Sequence, residues 1–223
     1  MYRITGIISL AVLLMISSVT ADDFFGLFKR GERGSGYLKT VELDLDSFNR
    51  IETHNSSDFI IRIGEVQKVL LTFDDNLLDN IVTKVRGKTL KVDTDESYSS
   101  RNNCKFEITI PSLEYISISG SSDFEVKEYK GEMFTCKITG SGDITIDGEV
   151  KKLKIRINGS GDFDGRELIS EDVRIKISGS GDADLFASES FDGSISGSGD
   201  ITVYGNPEYF DRSISGSGSI RRR

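Results

Sequence analysis

The residues of this chain best suited to chemistry are acidic. Asp162, Asp164, Asp182 and Asp184 form two Asp-x-Asp pairs set 20 residues apart. Carboxylate oxygens gathered at that density are the ligands calcium prefers, so the four make a candidate calcium site. Paired carboxylates also serve as acid and base in glycosidic cleavage, which makes a polysaccharide-degrading enzyme a second chemistry for the same residues. Against catalysis stand the absence of Trp for sugar stacking and the presence of a single His, His54, beside the turn-like run Asn55-Ser56-Ser57-Asp58. No residue is assigned a catalytic role, and no cofactor other than calcium is expected. The two cysteines, Cys104 and Cys136, share the inward parity of their strands. An oxidising compartment would allow a bridge between them, and two separate core thiols are the alternative.

The elements that must position these carboxylates are repeats. The phrase Ile-x-Gly-Ser-(Gly/Ser)-(Asp/Ser) recurs with its first Gly at Gly120, Gly140, Gly159, Gly179, Gly197 and Gly216, at intervals of 20, 19, 20, 18 and 19 residues. Self-similarity at a near-fixed period marks a solenoid, in which no unit buries its own apolar face and stacking buries them all. Two residues before each Gly stand Ile118, Ile138, Ile157, Ile177, Ile195 and Ile214, with polar residues such as Lys137, Arg156 and Lys176 between the apolar positions. That is the period-two pattern of a strand with one buried face. After the corner the alternation resumes at Phe124, Ile144, Phe163, Ala183, Ile201 and Ile220. The fold class is therefore all-β: a single-chain parallel β-solenoid of ~20 residues per coil, right-handed by the crossover rule.

In such a stack Asp123, Asp143, Asp162, Asp182 and Asp200 form a ladder of like charges, each adjacent pair repelling by ~1 kcal/mol even in water. Backbone N–H groups, nearby lysines or a cation must offset it. The glycines supply the close approach and positive φ that a sharp corner needs.

The chain opens with Arg3, the apolar run from Ile7 to Ile16 and the small-residue sequence Val19-Thr20-Ala21, the pattern of a secretory signal peptide over 1–21. A glycine-rich flexible leader is expected over 22–36, an irregular N-terminal β part of the solenoid over 37–111, and regular coils with an Arg-rich end over 112–223. With 36 acidic against 28 basic residues the formal net charge is −8, which discourages nucleic acid or an anionic membrane as the main partner. No transmembrane anchor is expected after signal cleavage, and the periplasm, cell surface or extracellular space is the expected location.

More specific resemblance lies in the order of motifs. Phe48-x-x-Ile51 leads to Ser57-Asp58-Phe59, then Asp75-Asn76-Leu77-Leu78-Asp79, Gly87-Lys88-Thr89-Leu90-Lys91-Val92, and Pro111-Ser112-Leu113-Glu114 opening into the repeats. From about Val41 to Ile220 the chain resembles the putative auto-transporter adhesin, head GIN domain family. The resemblance implies an exported bacterial β-solenoid acting in adhesion at the cell surface, with no established catalytic residues to carry over. A chain of 223 residues leaves no room for a translocator barrel, so a complete autotransporter is not expected.

Two functions then compete. The solenoid presents its loops, with Tyr129, Phe186, Phe191, Tyr204, Tyr209 and Phe210, to an envelope protein or glycan, or it stacks end to end as a structural module. Arg212 and Arg221-Arg222-Arg223 place charge at the last coil, which favours binding over polymerisation.

Overall fold

Period-two alternation becomes strand throughout the repeats. The computed structural model describes residues 31–223, so the signal peptide and most of the leader lie outside the described residues. The strands are β1 (Glu32–Arg33), β2 (Leu38–Glu42), β3 (Arg50–Thr53), β4 (Asp58–Ile63), β5 (Lys68–Asp74), β6 (Ile81–Arg86), β7 (Thr89–Thr94), β8 (Tyr98–Ser99), β9 (Lys105–Ile110) and β10 (Tyr115–Gly120). They continue as β11 (Asp123–Gly140), β12 (Ile144–Gly159), β13 (Phe163–Gly165), β14 (Leu168–Gly179), β15 (Ala183–Phe186), β16 (Ser190–Gly197), β17 (Asp200–Tyr204), β18 (Tyr209–Gly216) and β19 (Ser219–Arg222). Among the described residues the only helical element is the 3-10 turn Leu78–Asn80.

The coils stack as a parallel β-solenoid with bridges about 20 residues apart. On its first side Leu90, Ile51, Ile116, Cys136, Ile155 and Ile175 stand in register, one above the next. Two residues along, Ile118, Ile138, Ile157, Ile177 and Ile195 make a second column, and each is at most 2% exposed. On the second side the inward column is Phe106, Phe59, Phe124, Ile144, Phe163, Ala183, Ile201 and Ile220. Burying one such side chain is worth ~1.5–3 kcal/mol, and the rings of Phe59, Phe106 and Phe124 stack at 4.8 and 4.3 Å. β11 and β12 run on round the third side, where Tyr129, Gly148 and Leu168 are aligned.

Sequence order and stacking order part company in the N-terminal portion. β3 pairs with β10 on one edge and β7 on the other, and β4 lies between β11 and β9. The coil made by β7 and β9 thus lies beneath the earlier coil of β3 and β4, and the chain then passes over both to begin β10. Segment 37–111, expected to be irregular, therefore contributes two complete rungs as well as a cap. The cap is antiparallel: β6 covers β7 through a turn at Gly87 and Lys88 (φ +53° and +65°), β5 covers β9, and β2 covers β5. A covered strand edge offers no template for another chain.

Two details stand at the ends. The last residues of the leader, Glu32–Gly36, are bonded to the solenoid: β1 pairs with β8, Ser35 N donates to Asn76 Oδ1, and Gly36 N donates to Asp74 Oδ1. The Asp74 carboxylate organises this contact and also accepts from Ser100 and Asn102. At the other end Ile214, a predicted spine residue, is 41% exposed, because it lies on the last rung. There Arg212 Nη1 donates to Ile220 O at 2.8 Å and the Arg222 guanidinium lies 5.5 Å from the Phe210 ring centre.

Candidate functional site

The carboxylate ladder exists, and backbone N–H groups are what stabilise it. Asp143 N donates to Asp123 Oδ1 at 3.0 Å, Asp162 N to Asp143 Oδ1 at 2.8 Å, Asp182 N to Asp162 Oδ1 at 2.7 Å, and Asp200 N to Asp182 Oδ1 at 2.7 Å. Each carboxylate thus pins the next rung, and a bond of this charge-assisted type is worth ~1.5–3 kcal/mol, enough to outweigh ~1 kcal/mol of repulsion. The ladder ends where Ser219 replaces Asp and gives both its N–H and hydroxyl to Asp200 Oδ1.

The glycines make this contact possible. Gly159 has φ +147°, and a Cβ there would lie 2.2 Å from Gly140 O. Only glycine lets the rungs approach closely enough for Ser160 N to reach that same carbonyl at 2.9 Å. Ser122 takes the second glycine's place in the first regular corner, where its buried hydroxyl donates to Asn55 O and accepts from Ser57 N.

The four carboxylates of the expected calcium cluster have protein partners. Asp162 and Asp182 each accept from the next rung, while Asp164 and Asp184 flank Arg166. Arg166 Nε and Nη2 bond both Asp164 oxygens, and Asp184 Oδ2 lies 3.9 Å from Nε. The Arg166 hydrogen bonds hold Asp164 below the usual carboxylate range. Among the described residues no group of three or more His, Cys, Asp or Glu side chains is arranged to hold a metal ion. His54 pairs with Asp93 at 2.9 Å on the surface, as an ordinary polar contact.

Of the two alternatives for Cys104 and Cys136, separate core thiols fit the geometry: both are buried and free. Cys104 precedes β9, whereas Cys136 stacks on Ile116, three rungs higher. At ~4.8 Å per rung that is ~14 Å along the axis, twice the reach of a disulfide. Burial pushes the Cys104 thiol up to about 11 and the Cys136 thiol further, so both are poor nucleophiles.

Of the aromatic residues expected to form a presenting surface, Tyr129 and Phe191 are core residues at 2% and 0% exposure, and Tyr209 is 58% exposed. Phe191 stacks under Phe210 at 4.9 Å. The Tyr129 hydroxyl lies 2.9 Å from Leu113 O and 3.1 Å from Met133 O, and burial raises its pKa to about 12. What parity does place outward is charge. Lys137, Arg156 and Lys176 share one register column, and Lys154 and Arg174 share the next. Sequence reasoning read these only as the polar half of a strand.

The fold and its corners define a filled β-solenoid scaffold with an aspartate ladder along one corner and a cluster of Lys and Arg on the outward face of the first side. The putative auto-transporter adhesin, head GIN domain family matches over residues 47–207, and the chain belongs to that family. No curated protein matches the chain. Among solved structures it resembles a putative adhesin of Bacteroides fragilis NCTC 9343, at 22% identity and TM-score 0.73, covering 86% of this chain and 100% of that one. A putative lipid binding protein of Parabacteroides distasonis ATCC 8503 is similar at 23% identity and TM-score 0.60, covering 87% and 100%. A putative adhesin of that organism follows at 19% identity and TM-score 0.56, covering 86% and 100%.

Proposed function

We propose that the chain is an exported, non-enzymatic, adhesin-like module whose rigid solenoid presents its surface to a protein or glycan partner at the cell envelope. The observation that carries the reading is the engagement of the repeat carboxylates: Asp123, Asp143, Asp162, Asp182 and Asp200 each accept a backbone N–H from the rung above. They build the scaffold and are not poised for acid and base work. Family membership supports the adhesin-like class and, with the signal-like N-terminus, an exported location. End-to-end polymerisation gains little support, because antiparallel strands cover the N-terminal edge. A lipid-binding role, which the name of one similar structure carries, gains little either, since the inward columns are filled by Ile and Phe.

The test is saturable retention of the labelled chain, from Asp22 onward, on envelope preparations of the producing cell, with no release of reducing or unsaturated ends from polysaccharides. Unsaturable retention, or turnover of a polysaccharide, contradicts the proposal.

A further inference from the structure

The net charge of −8 conceals a division between two faces. The second side carries the aspartate ladder at its corner. The outward face of the first side is the reverse. In the four rungs that begin with β10, its two central outward positions per rung hold Lys137, Lys154, Arg156, Arg174 and Lys176, with Tyr115, Ser117 and Thr135 in the remaining places. No carboxylate occupies these positions; Asp172 stands beside them on β14, bonded to Ser190, and Asp192 on the following rung pairs with Arg174 at 2.9 Å and lines the same face. Lys137, Lys154, Arg156 and Lys176 have no ion-pair partner among the described residues. They line a surface depression of about 540 Å³. It runs on into neighbouring depressions through Tyr115 and Thr135 at one end and Lys154 and Arg174 at the other.

Like charges held this close on a rigid sheet repel one another, and an anionic ligand relieves that repulsion. We infer that this face binds an acidic polysaccharide, a chain bearing carboxylate or sulfate groups, laid along the solenoid axis. The cations repeat at the rung spacing of ~4.8 Å, close to the length of one sugar residue in an extended chain. The depression is lined by successive rungs from Tyr115 to Ser194, which suits a polymer better than a small molecule. A nucleic acid strand would need a series of aromatic platforms for its bases. The central positions have Tyr115 alone, with the Arg50 guanidinium 4.6 Å from the centre of its ring, and Tyr209 lies at the margin on the last rung. A membrane surface would call for several apolar side chains among the cations, whereas the two central outward positions of these rungs hold only Tyr115, with Met133 beside Thr135 at their margin.

The inference rests on the binding-module reading above and gives that reading a surface and a ligand class. Its test is equilibrium binding of the chain to polygalacturonate and to dextran sulfate, with neutral dextran, poly(dT) and anionic lipid vesicles alongside, in ~50 and ~300 mM salt. Binding to at least one acidic glycan is expected to weaken with salt, as screening requires. It should fall at least about tenfold in Lys154→Gln/Arg156→Gln/Lys176→Gln, whose three lost charges lie off the spine. The variant Lys39→Gln/Lys84→Gln/Arg86→Gln removes as much charge from the N-terminal cap and should bind as the parent does; matching thermal melts exclude unfolding.

Binding to neither acidic glycan, equal binding by both variants, or equal affinity for neutral dextran overturns the inference. Preference for poly(dT) or vesicles overturns it too, as does self-association by light scattering that the first variant abolishes. Retention of that variant on envelopes separates the two ideas: if it persists while acidic glycans fail to bind, only this inference falls.

Discussion

Replacing Gly159 by Ala tests the corner where sequence, geometry and stacking meet. The perturbation is one methyl group. At φ +147° that methyl points at the rung below, 2.2 Å from Gly140 O and 3.0 Å from Gly140 N. Backbone in this region costs a non-glycine residue ~1–3 kcal/mol. Opening the rungs to relieve the clash stretches the 2.9 Å bond from Ser160 N to Gly140 O, worth ~1 kcal/mol. The expected loss is therefore about 2–4 kcal/mol in urea unfolding followed by circular dichroism and extrapolated to water. Ser160→Ala, one residue further on an exposed side chain, should stay within ~0.5 kcal/mol of the parent. If Gly159→Ala matched Ser160→Ala, the close-stacked corner would be wrong.

Ile157 is fully buried in the central column, so Ile157→Val should cost ~0.5–1.5 kcal/mol, while Ile157→Asp buries an unpaired charge and should leave no cooperative melt. Asp162→Ala should lower stability by ~1–3 kcal/mol, by loss of the acceptor for Asp182 N. Asp162→Asn keeps an oxygen acceptor and removes a charge between Asp143 and Asp182, so its melting temperature should lie above that of the Ala variant; the reverse order contradicts the ladder. Asp74 has its carboxyl held below the ordinary carboxylate value, chiefly by the Ser100 hydroxyl with help from Asn102 and Gly36 N, against an opposing effect of burial. A depressed folded pKa gives stability that is present above the unfolded value and lost as pH falls through the folded one. The stability gap between the parent and Asp74→Asn should therefore be constant from pH 7 to ~5 and shrink below ~4. A gap that widens in acid would refute the assignment.

The Ile spine was legible because the same residue type recurs at one offset from a glycine, and the alternation on either side gives each strand an inside. The inverted order of the first two rungs was not. Asn55-Ser56-Ser57-Asp58 and Asn103-Cys104-Lys105 lack the glycine phrase that would mark them as corners, and pairing of β3 with both β7 and β10 is a long-range choice that no local pattern records. That ordering also separates the cysteines: parity correctly turned both inward, yet their separation depends on how many rungs lie between. Phe191 keeps the parity of Ile195 across Gly193, which marks it as core, whereas its place near a loop suggests surface. The four aspartates shared a density that suits calcium, and spacing says nothing of a carboxylate committed to an N–H one rung away. Lysines and arginines scattered through three repeats become one face only when the rungs are stacked.

Paired-cysteine cross-linking tests the stacking most directly. Glu52 is in register with Lys91 on one edge and Ser117 on the other, and adjacent rungs ~4.8 Å apart lie within disulfide reach, whereas two rungs do not. Glu52→Cys paired with Lys91→Cys, and separately with Ser117→Cys, should close a disulfide under mild oxidation, while Lys91→Cys with Ser117→Cys should remain free. Ready linkage of positions 91 and 117, with 52 and 117 unlinked, would contradict the architecture on which the proposed binding faces depend.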